Sequence, residues 1–241
     1  MTAPVCMRTR TGRRRQARTA GTAVLPWFGR LSKQESPNLG YNNLIFSLCE
    51  EVKMRIIVGI TGASGSLYGI RLLEVLQTYK NVKTHLVITE AGKMTIRLET
   101  TKKVEDVEKL AHHVYGNQDL TAPIASGSFR TEGMIIVPCS VKTFSGLANS
   151  FNLNLLLRAG DVTLKEKRKL GIVFRETPLH LGHLRLLTQL AELGAIIMPP
   201  VPAFYHHPKT ISDLIDHTVG KILDQFGLEH QLFTRWKEPA V

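Results

Sequence analysis

The 241-residue chain has few cysteines and no long apolar run. Its three cysteines show neither a disulfide framework nor the spacing of metal ligands, which indicates a reducing compartment. No run of eighteen apolar residues occurs, so the sequence predicts no membrane span, and the apolar run Leu44–Leu48 is too short for the core of a secretory signal. Disulfide-rich secreted proteins and integral membrane proteins are therefore disfavoured classes.

Acidic residues are missing before Glu35, whereas basic residues are frequent there. Residues 1–53 carry nine lysines and arginines against three glutamates, a net charge of +6, which leaves +5 of the chain's +11 for the rest. We expect a basic, disordered extension over 1–53 and a single domain over 54–241. The extension resembles a transit peptide, which would imply the mitochondrial matrix. The extension fits equally well a start site assigned too far upstream. Met54 would then be the true first residue, and the protein would be cytoplasmic. No nucleic-acid partner is expected, since the excess charge lies outside the folded part.

From Met54 onward, short β-branched runs alternate with segments of helical periodicity. This alternation predicts an α/β fold, a parallel sheet with helices on both faces. The last helix should begin at a capping box of Thr210 and Asp213 and end at Gly227. The predicted strands are 55–60, 84–89, 133–138, 170–174 and 195–198.

The loops that follow these strands are rich in polar groups, and ligands bind at that edge of an open parallel sheet. The glycines of the first loop fit neither the dinucleotide fingerprint nor a P-loop, which disfavours ATP and classical NAD binding. A glycine turn that opens a helix still suits a phosphate or a flavin edge, although many such turns serve only packing. Ser140, Lys142 and Thr143 repeat the pattern after the third strand. Arg175 and Glu176 end the fourth strand, a position that favours a ligand contact.

Cysteine and histidine offer weaker signals. Cys139 is interpreted as a buried small residue because no histidine is placed to activate it. His180 and His183 lie three apart on a predicted helix face, and His206 is followed by His207, but no carboxylate or cysteine completes a ligand set. We expect no metal.

Seven motifs together resemble the UbiX-type flavin prenyltransferases, and the resemblance spans residues 54–237. It implies a Rossmann- or flavodoxin-like fold, with cofactor sites built between the subunits of a homo-dodecamer. The motifs are GITGASG 59–65, ASGS 125–128, PCSVKT 138–143, RAGD 158–161, LKE 164–166, RETPL 175–179 and PPVPAFY 199–205.

The resemblance also implies roles for individual residues. For reduced FMN it implies a site of Gly62, Ala63, Ser64, Thr89, Ser140, Val141, Lys142, Thr143 and Arg158. For the prenyl phosphate it implies a basic cup of Lys165, Arg175, Tyr205 and Lys221, with Ser126 nearby. The catalytic positions are Ser64, Glu99, Glu176 and Trp236, of which Glu99 and Glu176 match acids linked to proton transfer and Trp236 lines the prenyl pocket.

The implied reaction joins dimethylallyl phosphate to the flavin. Flavin N5 attacks the allylic C1 carbon as phosphate leaves, and prenyl C3 then bonds flavin C6 to close a ring. The departing phosphate needs fixed positive charge, which Lys and Arg supply without metal, and π-faces favour an allylic cation. A base must remove the ring proton, and the leaving phosphate and Glu176 are both candidates. The product would pass to a UbiD-type decarboxylase, in ubiquinone synthesis or aromatic-acid breakdown.

Two positions depart from the family pattern, and two rival functions remain. Gly160 stands where members commonly carry alanine, which we expect to loosen a helix start, and Leu120 stands where some place a tryptophan facing the prenyl group. One rival is a flavoprotein decarboxylase on the same fold, which would not need a basic cup for a second phosphate. The other is a non-catalytic flavin carrier that serves a decarboxylase.

Overall fold

The computed structural model describes residues 54–237. Six strands form the sheet: β1 Met54–Ile60, β2 Val82–Ile88, β3 His113–Tyr115, β4 Gly133–Cys139, β5 Lys169–Phe174 and β6 Ile196–Ile197. The helices are α1 Ser66–Leu76, α2 Glu90–Glu99, α3 Val104–Glu108, α4 Val141–Ala148, α5 Leu155–Lys165, α6 Leu181–Glu192 and α7 Ile211–Phe226, with a 3₁₀ turn at Pro123–Ala125.

The six strands are all parallel and lie in the order β3-β2-β1-β4-β5-β6. This is the strand order of the Rossmann fold, so the α/β prediction of a Rossmann- or flavodoxin-like sheet is confirmed. The order reverses between β1 and β4, and a crevice opens at such a point beyond the carboxyl ends of the strands. The loops after β1 and β4 are therefore the first place to look for a ligand site.

The core lies on both faces of the sheet because the central strands are apolar at almost every position. In β1, Ile56, Val58 and Ile60 pack into one cluster with α1 and α7, whereas Ile57 points into the opposite cluster. That second cluster contains buried residues of α4, α5 and α6. Each face is thus sealed by helices, and the strand ends remain as the accessible edge.

The predicted strands match the central sheet closely and its margins less well. The four strands predicted at 55–60, 84–89, 133–138 and 170–174 correspond to β1, β2, β4 and β5 within two residues at either end. Prediction missed β3, which has three residues and no buried apolar run. The strand predicted at 195–198 shortens to the two residues of β6.

The predicted caps of α7 are confirmed. The Thr210 side chain accepts from the Asp213 amide, and the Asp213 carboxylate accepts from the Thr210 amide. Gly227 ends the helix in the left-handed conformation with φ 69°. Among residues 54–237, no helix combines the length and apolarity needed to cross a membrane. The predicted disordered extension over 1–53 lies outside the described residues, as do residues 238–241 of the predicted domain.

Candidate functional site

The carboxyl ends of β1 and β4 are tied together by one buried side chain. The Thr61 hydroxyl donates to the Pro138 carbonyl at 2.7 Å and accepts from the Ser140 amide at 2.8 Å. The Thr61 amide donates to the same carbonyl at 3.2 Å. With 1% of its surface exposed, Thr61 fixes the glycine loop and the Ser140 loop side by side at the point where strand order reverses.

Replacing Thr61 with valine should cost about 2 kcal/mol of unfolding free energy, because the partly buried Ser140 amide loses its acceptor. Serine at position 61 keeps the hydroxyl and is the matched control. Equilibrium denaturation in urea measures both variants. Equal stability of the valine and serine variants would contradict this role for the hydroxyl.

The start of α4 is open to a ligand. Ser140 precedes the helix without a side-chain hydrogen bond to its amides, and its hydroxyl lies 3.1 Å from that of Thr143. The first amides of a helix have no acceptor within it, and the helix dipole places positive potential there. Lys142 adds an exposed ammonium on the first turn. This set of donors suits the phosphate or a polar flavin edge of FMN, and the predicted FMN contacts of residues 140–143 stay predictions.

The start of α1 does not offer the same opening. The Glu99 carboxylate accepts from the Gly65 amide at 3.0 Å, from the Ser66 amide at 3.0 Å and from the Ser66 hydroxyl at 2.9 Å. A carboxylate from the end of α2 therefore occupies the place where a phosphate would bind. The Gly65 and Ser66 amides are thus already bound to a protein carboxylate, and the predicted FMN contact of the glycine turn stays a prediction.

These contacts also control the ionisation of Glu99. Burial alone would raise its pKa, but hydrogen bonds from Ser64, Ser66 and Gly65 outweigh burial and lower the pKa below its usual range. The charged form is thus stabilised in the folded state. Glu99 is held as an acceptor for the loop that carries Ser64, and its proposed part in proton transfer stays a prediction.

The stability supplied by Glu99 should depend on pH. Because its folded pKa lies below the unfolded value, this stability is complete above the usual carboxyl range and is lost as pH falls through the folded pKa. Glu99→Gln should lower Tm by about 2 to 4 °C at pH 7, and the gap from wild type should close toward pH 3. Thermal scans across this range measure the gap. A gap that stays constant with pH would contradict the assignment.

The remaining residues of the glycine loop are held by close packing against α2. A Cβ at Gly62 would lie 2.4 Å from the Ala91 Cβ, so only glycine fits. Ala63 is buried and Ser64 is exposed. The Thr89 side chain accepts from the Gly92 amide at 3.0 Å and caps α2. The predicted contacts of these residues with FMN stay predictions.

Arg175 reaches back to the glycine loop from the end of β5. Its Nε donates to the Ser64 carbonyl at 3.4 Å, and its amide donates to the Cys139 carbonyl at 3.2 Å. The next residue, Glu176, accepts from the Thr177 amide through Oε1 at 3.0 Å. The structure thus places the Arg175 guanidinium beside Ser64, with Glu176 next to it in the chain. The predicted ligand contact of this strand end stays a prediction.

A second group of predicted residues lies around the loop 125–128. Arg158 donates from Nε to the Ala125 carbonyl at 3.1 Å and pairs with Asp161 at 3.2 Å. Lys165 pairs with Glu166, whose carboxylate packs against this loop at Gly127. Ser126, in the same loop, shares a hydrogen bond with the Ser128 hydroxyl at 2.9 Å.

A third group joins Tyr205, which precedes α7, to side chains of α7 and to the C-terminal segment. The Tyr205 hydroxyl lies 3.2 Å from His217 Nε2, and its ring packs edge-on against Trp236 at 5.5 Å between centroids. Lys221, one turn beyond His217, donates to Asp224 at 3.4 Å. Asp224 also binds Arg235 through two hydrogen bonds of 2.7 and 3.2 Å, which anchors the segment that carries Trp236.

The basic cup is therefore not assembled by direct contacts within one chain. Among residues 54–237, no recorded hydrogen bond, ion pair or ring contact joins Lys165 to Arg175, or either of them to Tyr205 and Lys221. Arg175 lies with the glycine loop, Lys165 lies with the loop 125–128, and Tyr205 and Lys221 belong to the group around α7. Lys165 is the last residue of α5, Arg175 directly follows β5, and Tyr205 lies in the segment after β6.

Comparisons with known proteins agree with this geometry. A family model described as Flavoprotein matches residues 47–223. The flavin prenyltransferase UbiX of Thauera aromatica is 58% identical over 183 residues, which cover 76% of this chain and 94% of the relative. The chain belongs to the flavin prenyltransferase family.

Two solved structures with this fold are similar to the chain. AnUbiX, in complex with FMN and dimethylallyl pyrophosphate, is 45% identical with a TM-score of 0.75, covering 78% of this chain and 99% of AnUbiX. A dodecameric FMN-dependent UbiX-like decarboxylase from Escherichia coli O157:H7 is 48% identical with a TM-score of 0.76, covering 77% of this chain and 100% of that protein. The family resemblance seen in the motifs is thereby confirmed.

Cys139 is a buried packing residue, and His180 caps a helix. Cys139 is fully buried, and burial raises the pKa of its thiol. The prediction that His180 and His183 lie on one helix face is wrong, because His180 is not part of the helix. His180 precedes α6 and accepts from the Gly182 and His183 amides. Within residues 54–237, no three His, Cys, Asp or Glu residues cluster in a way that could hold a metal.

The two departures from the family pattern have different surroundings. Gly160 lies inside α5, not at its start as predicted, and a Cβ there would approach Leu147 Cδ2 to 2.6 Å. Glycine at this position therefore accommodates the Leu147 side chain. Leu120 is about half exposed. Its effect on the prenyl pocket stays a prediction.

Sequence reasoning missed three residues that shape the site: Ser66, His217 and Asp224. Ser66 binds Glu99 across 33 positions of sequence, so spacing gives no signal for the contact. His217 and Asp224 lie with Lys221 on α7, and helical spacing of four and three residues places them on one face. That spacing is a signal that could have found them.

Proposed function

We propose that this protein joins the dimethylallyl group of dimethylallyl phosphate to reduced FMN, forming bonds at flavin N5 and C6. The single observation that carries the proposal is the arrangement at the ends of β1, β4 and β5. There the open start of α4 lies beside the glycine loop, and Arg175 contacts Ser64. Membership of the flavin prenyltransferase family and the two ligands held by AnUbiX support it.

The chemistry balances without an added oxidant or reductant. Reduced FMN supplies a nucleophilic N5, which bonds to C1 of the prenyl group as the C1–O bond breaks and phosphate leaves with its electron pair. The phosphate takes up the N5 proton. Prenyl C2 then accepts a proton as C3 bonds to flavin C6, and the C6 proton passes to a base. The flavin gains C5H8, and inorganic phosphate is the second product.

The cationic residues hold the phosphate and stabilise it as it departs. Arg175 offers a guanidinium whose donors match phosphate oxygens in pairs, and Lys165 and Lys221 add ammonium groups. Each of the two lysines is paired with a carboxylate in the single chain, Lys165 with Glu166 and Lys221 with Asp224. Both lysines are about half exposed, so a phosphate can compete for them.

The proton taken from C6 requires a base near the flavin. Glu176 adjoins Arg175 at the end of β5 and has one carboxylate oxygen bound to the Thr177 amide. Its second oxygen is the one we assign to proton transfer, with the leaving phosphate as the other acceptor. Glu99 keeps the Ser64 loop in place through Gly65 and Ser66.

Aromatic faces would shield the allylic group. Trp236 is 66% exposed in the single chain and packs edge-on against Tyr205. A developing allylic cation is attracted by the face of such rings. We assign Trp236 to one wall of the prenyl pocket.

We further propose a homo-oligomer, a dodecamer like that of the similar Escherichia coli protein, in which neighbouring chains bring the cup residues together. The three separate groups of cup residues support this assembly. The prenylated flavin would be delivered to a UbiD-type decarboxylase. We place the protein in the cytoplasm, with no metal and no nucleic acid required.

Anaerobic incubation with reduced FMN and dimethylallyl phosphate tests the proposal. Mass spectrometry of the extracted flavin should show an added C5H8, and inorganic phosphate should appear in equal amount. Unchanged flavin mass would overturn the proposal and favour a flavin carrier.

A decarboxylase remains the second candidate because the similar Escherichia coli structure is described as one. Carbon dioxide release from an aromatic acid by the FMN-loaded protein alone would favour it. The presence of Arg175, Lys165 and Lys221, the residues that we propose for the phosphate, argues against it, since a carboxylate substrate needs no site for a second phosphate.

A further inference from the structure

The hydroxyl of Tyr205 has one recorded hydrogen-bond partner among the described residues. It lies 3.2 Å from Nε2 of His217, which projects from α7 one turn before Lys221. The tyrosine is 37% exposed, so its hydroxyl can meet a ligand while keeping this contact. His217 is thus placed directly behind a group of the basic cup.

The position of one proton decides what Tyr205 can do. If Nε2 of His217 is unprotonated, the phenol must donate its only proton to that nitrogen and can offer a phosphate nothing but lone pairs. If Nε2 carries the proton, it donates to the phenol oxygen, and the O–H of Tyr205 is left for a phosphate oxygen. A phosphate anion favours the second arrangement, in which the two bonds strengthen each other.

The surroundings of His217 fix its ring but leave Nε2 to the tyrosine. The His206 ring stacks on it at 5.0 Å and 8°, and the Phe233 ring lies 4.7 Å away. The charged and titratable groups around it are His206, Lys221 and Asp224. Burial, then His206 and Lys221, lower the pKa of His217, while Asp224 opposes them. At neutral pH the ring therefore carries a single proton, and its tautomer matters.

We propose that His217 is a positioning residue for the prenyl phosphate: its Nε2–H donates to the Tyr205 oxygen and directs the Tyr205 O–H at a phosphate oxygen. The inference rests on the proposed function, because it requires a phosphate beside Tyr205. His217 itself touches neither the phosphate nor the flavin. It acts through the tyrosine.

Binding of dimethylallyl phosphate to the protein loaded with oxidised FMN tests the inference without turnover. By calorimetry, His217→Leu should weaken binding about tenfold, the effect of one hydrogen bond to a charged group. His217→Gln should recover most of the affinity, because the glutamine amide can donate from the position of Nε2. His206→Phe keeps a stacked ring and controls for packing.

A double-variant cycle separates positioning from a structural role. Tyr205→Phe should weaken binding as much as His217→Leu, and the double variant should be no weaker than Tyr205→Phe alone. If the loss of affinity in the double variant equals the product of the two single losses, or if His217→Leu binds as tightly as wild type, the inference is overturned while the proposed function stays intact. Wild-type protein that neither binds dimethylallyl phosphate nor adds C5H8 to FMN would overturn both.

Discussion

Arg175→Gln should slow prenyl transfer by about a hundredfold to a thousandfold while FMN stays bound. Removal of one fixed donor to charge that develops in a transition state costs about that much. FMN should be retained because α4 and the loop 61–64 do not depend on the Arg175 side chain beyond its 3.4 Å contact with the Ser64 carbonyl. Single-turnover mass spectrometry measures the rate, and flavin absorbance measures occupancy.

Arg185→Gln is the matched control for Arg175. It removes the same charge from an exposed position on α6 and should leave the rate unchanged. A Lys at position 175 should restore part of the rate, since it keeps the charge but loses the paired donors. Wild-type turnover in Arg175→Gln would remove this residue from the phosphate site.

Glu176→Gln should retain FMN but slow product formation by about a hundredfold to ten-thousandfold, the usual contribution of a positioned general base. The amide oxygen can still accept from the Thr177 amide, so local structure should survive. The lost property is the ability to take the flavin C6 proton. Anaerobic time courses of flavin mass measure the rate.

Glu192→Gln, at the exposed end of α6, controls for loss of a negative charge. If the leaving phosphate is the base instead, Glu176→Gln will form product at the wild-type rate. An intermediate slowdown with FMN lost would assign Glu176 to cofactor binding.

The sheet was largely predictable because its central strands obey one simple rule. A strand covered on both faces must be apolar at successive positions, and β1 and β4 are. Strand β3 does not follow this apolar pattern. β3 lies at the edge of the sheet with His113 and Val114 exposed, so its sequence carries no apolar run to detect.

The site was predictable where it follows strand ends and unpredictable where distant segments meet. Arg175 and Ser140 were found because each directly follows a strand. Glu99 lies at the far end of α2, and its capture of the Gly65 and Ser66 amides depends on how α2 packs against the glycine loop. The family resemblance implies a catalytic role for Glu99, whereas the geometry shows that Glu99 holds the glycine loop.

The central claim is that Lys165, Arg175, Tyr205 and Lys221 surround one phosphate beside FMN in the assembled protein. The most direct test is an experimental structure of the oligomer with FMN and dimethylallyl phosphate bound. We expect all four side chains, drawn from neighbouring chains, to lie within hydrogen-bond distance of the phosphate, with the prenyl group over the flavin. A phosphate bound elsewhere, or four side chains still apart in the oligomer, would contradict the account.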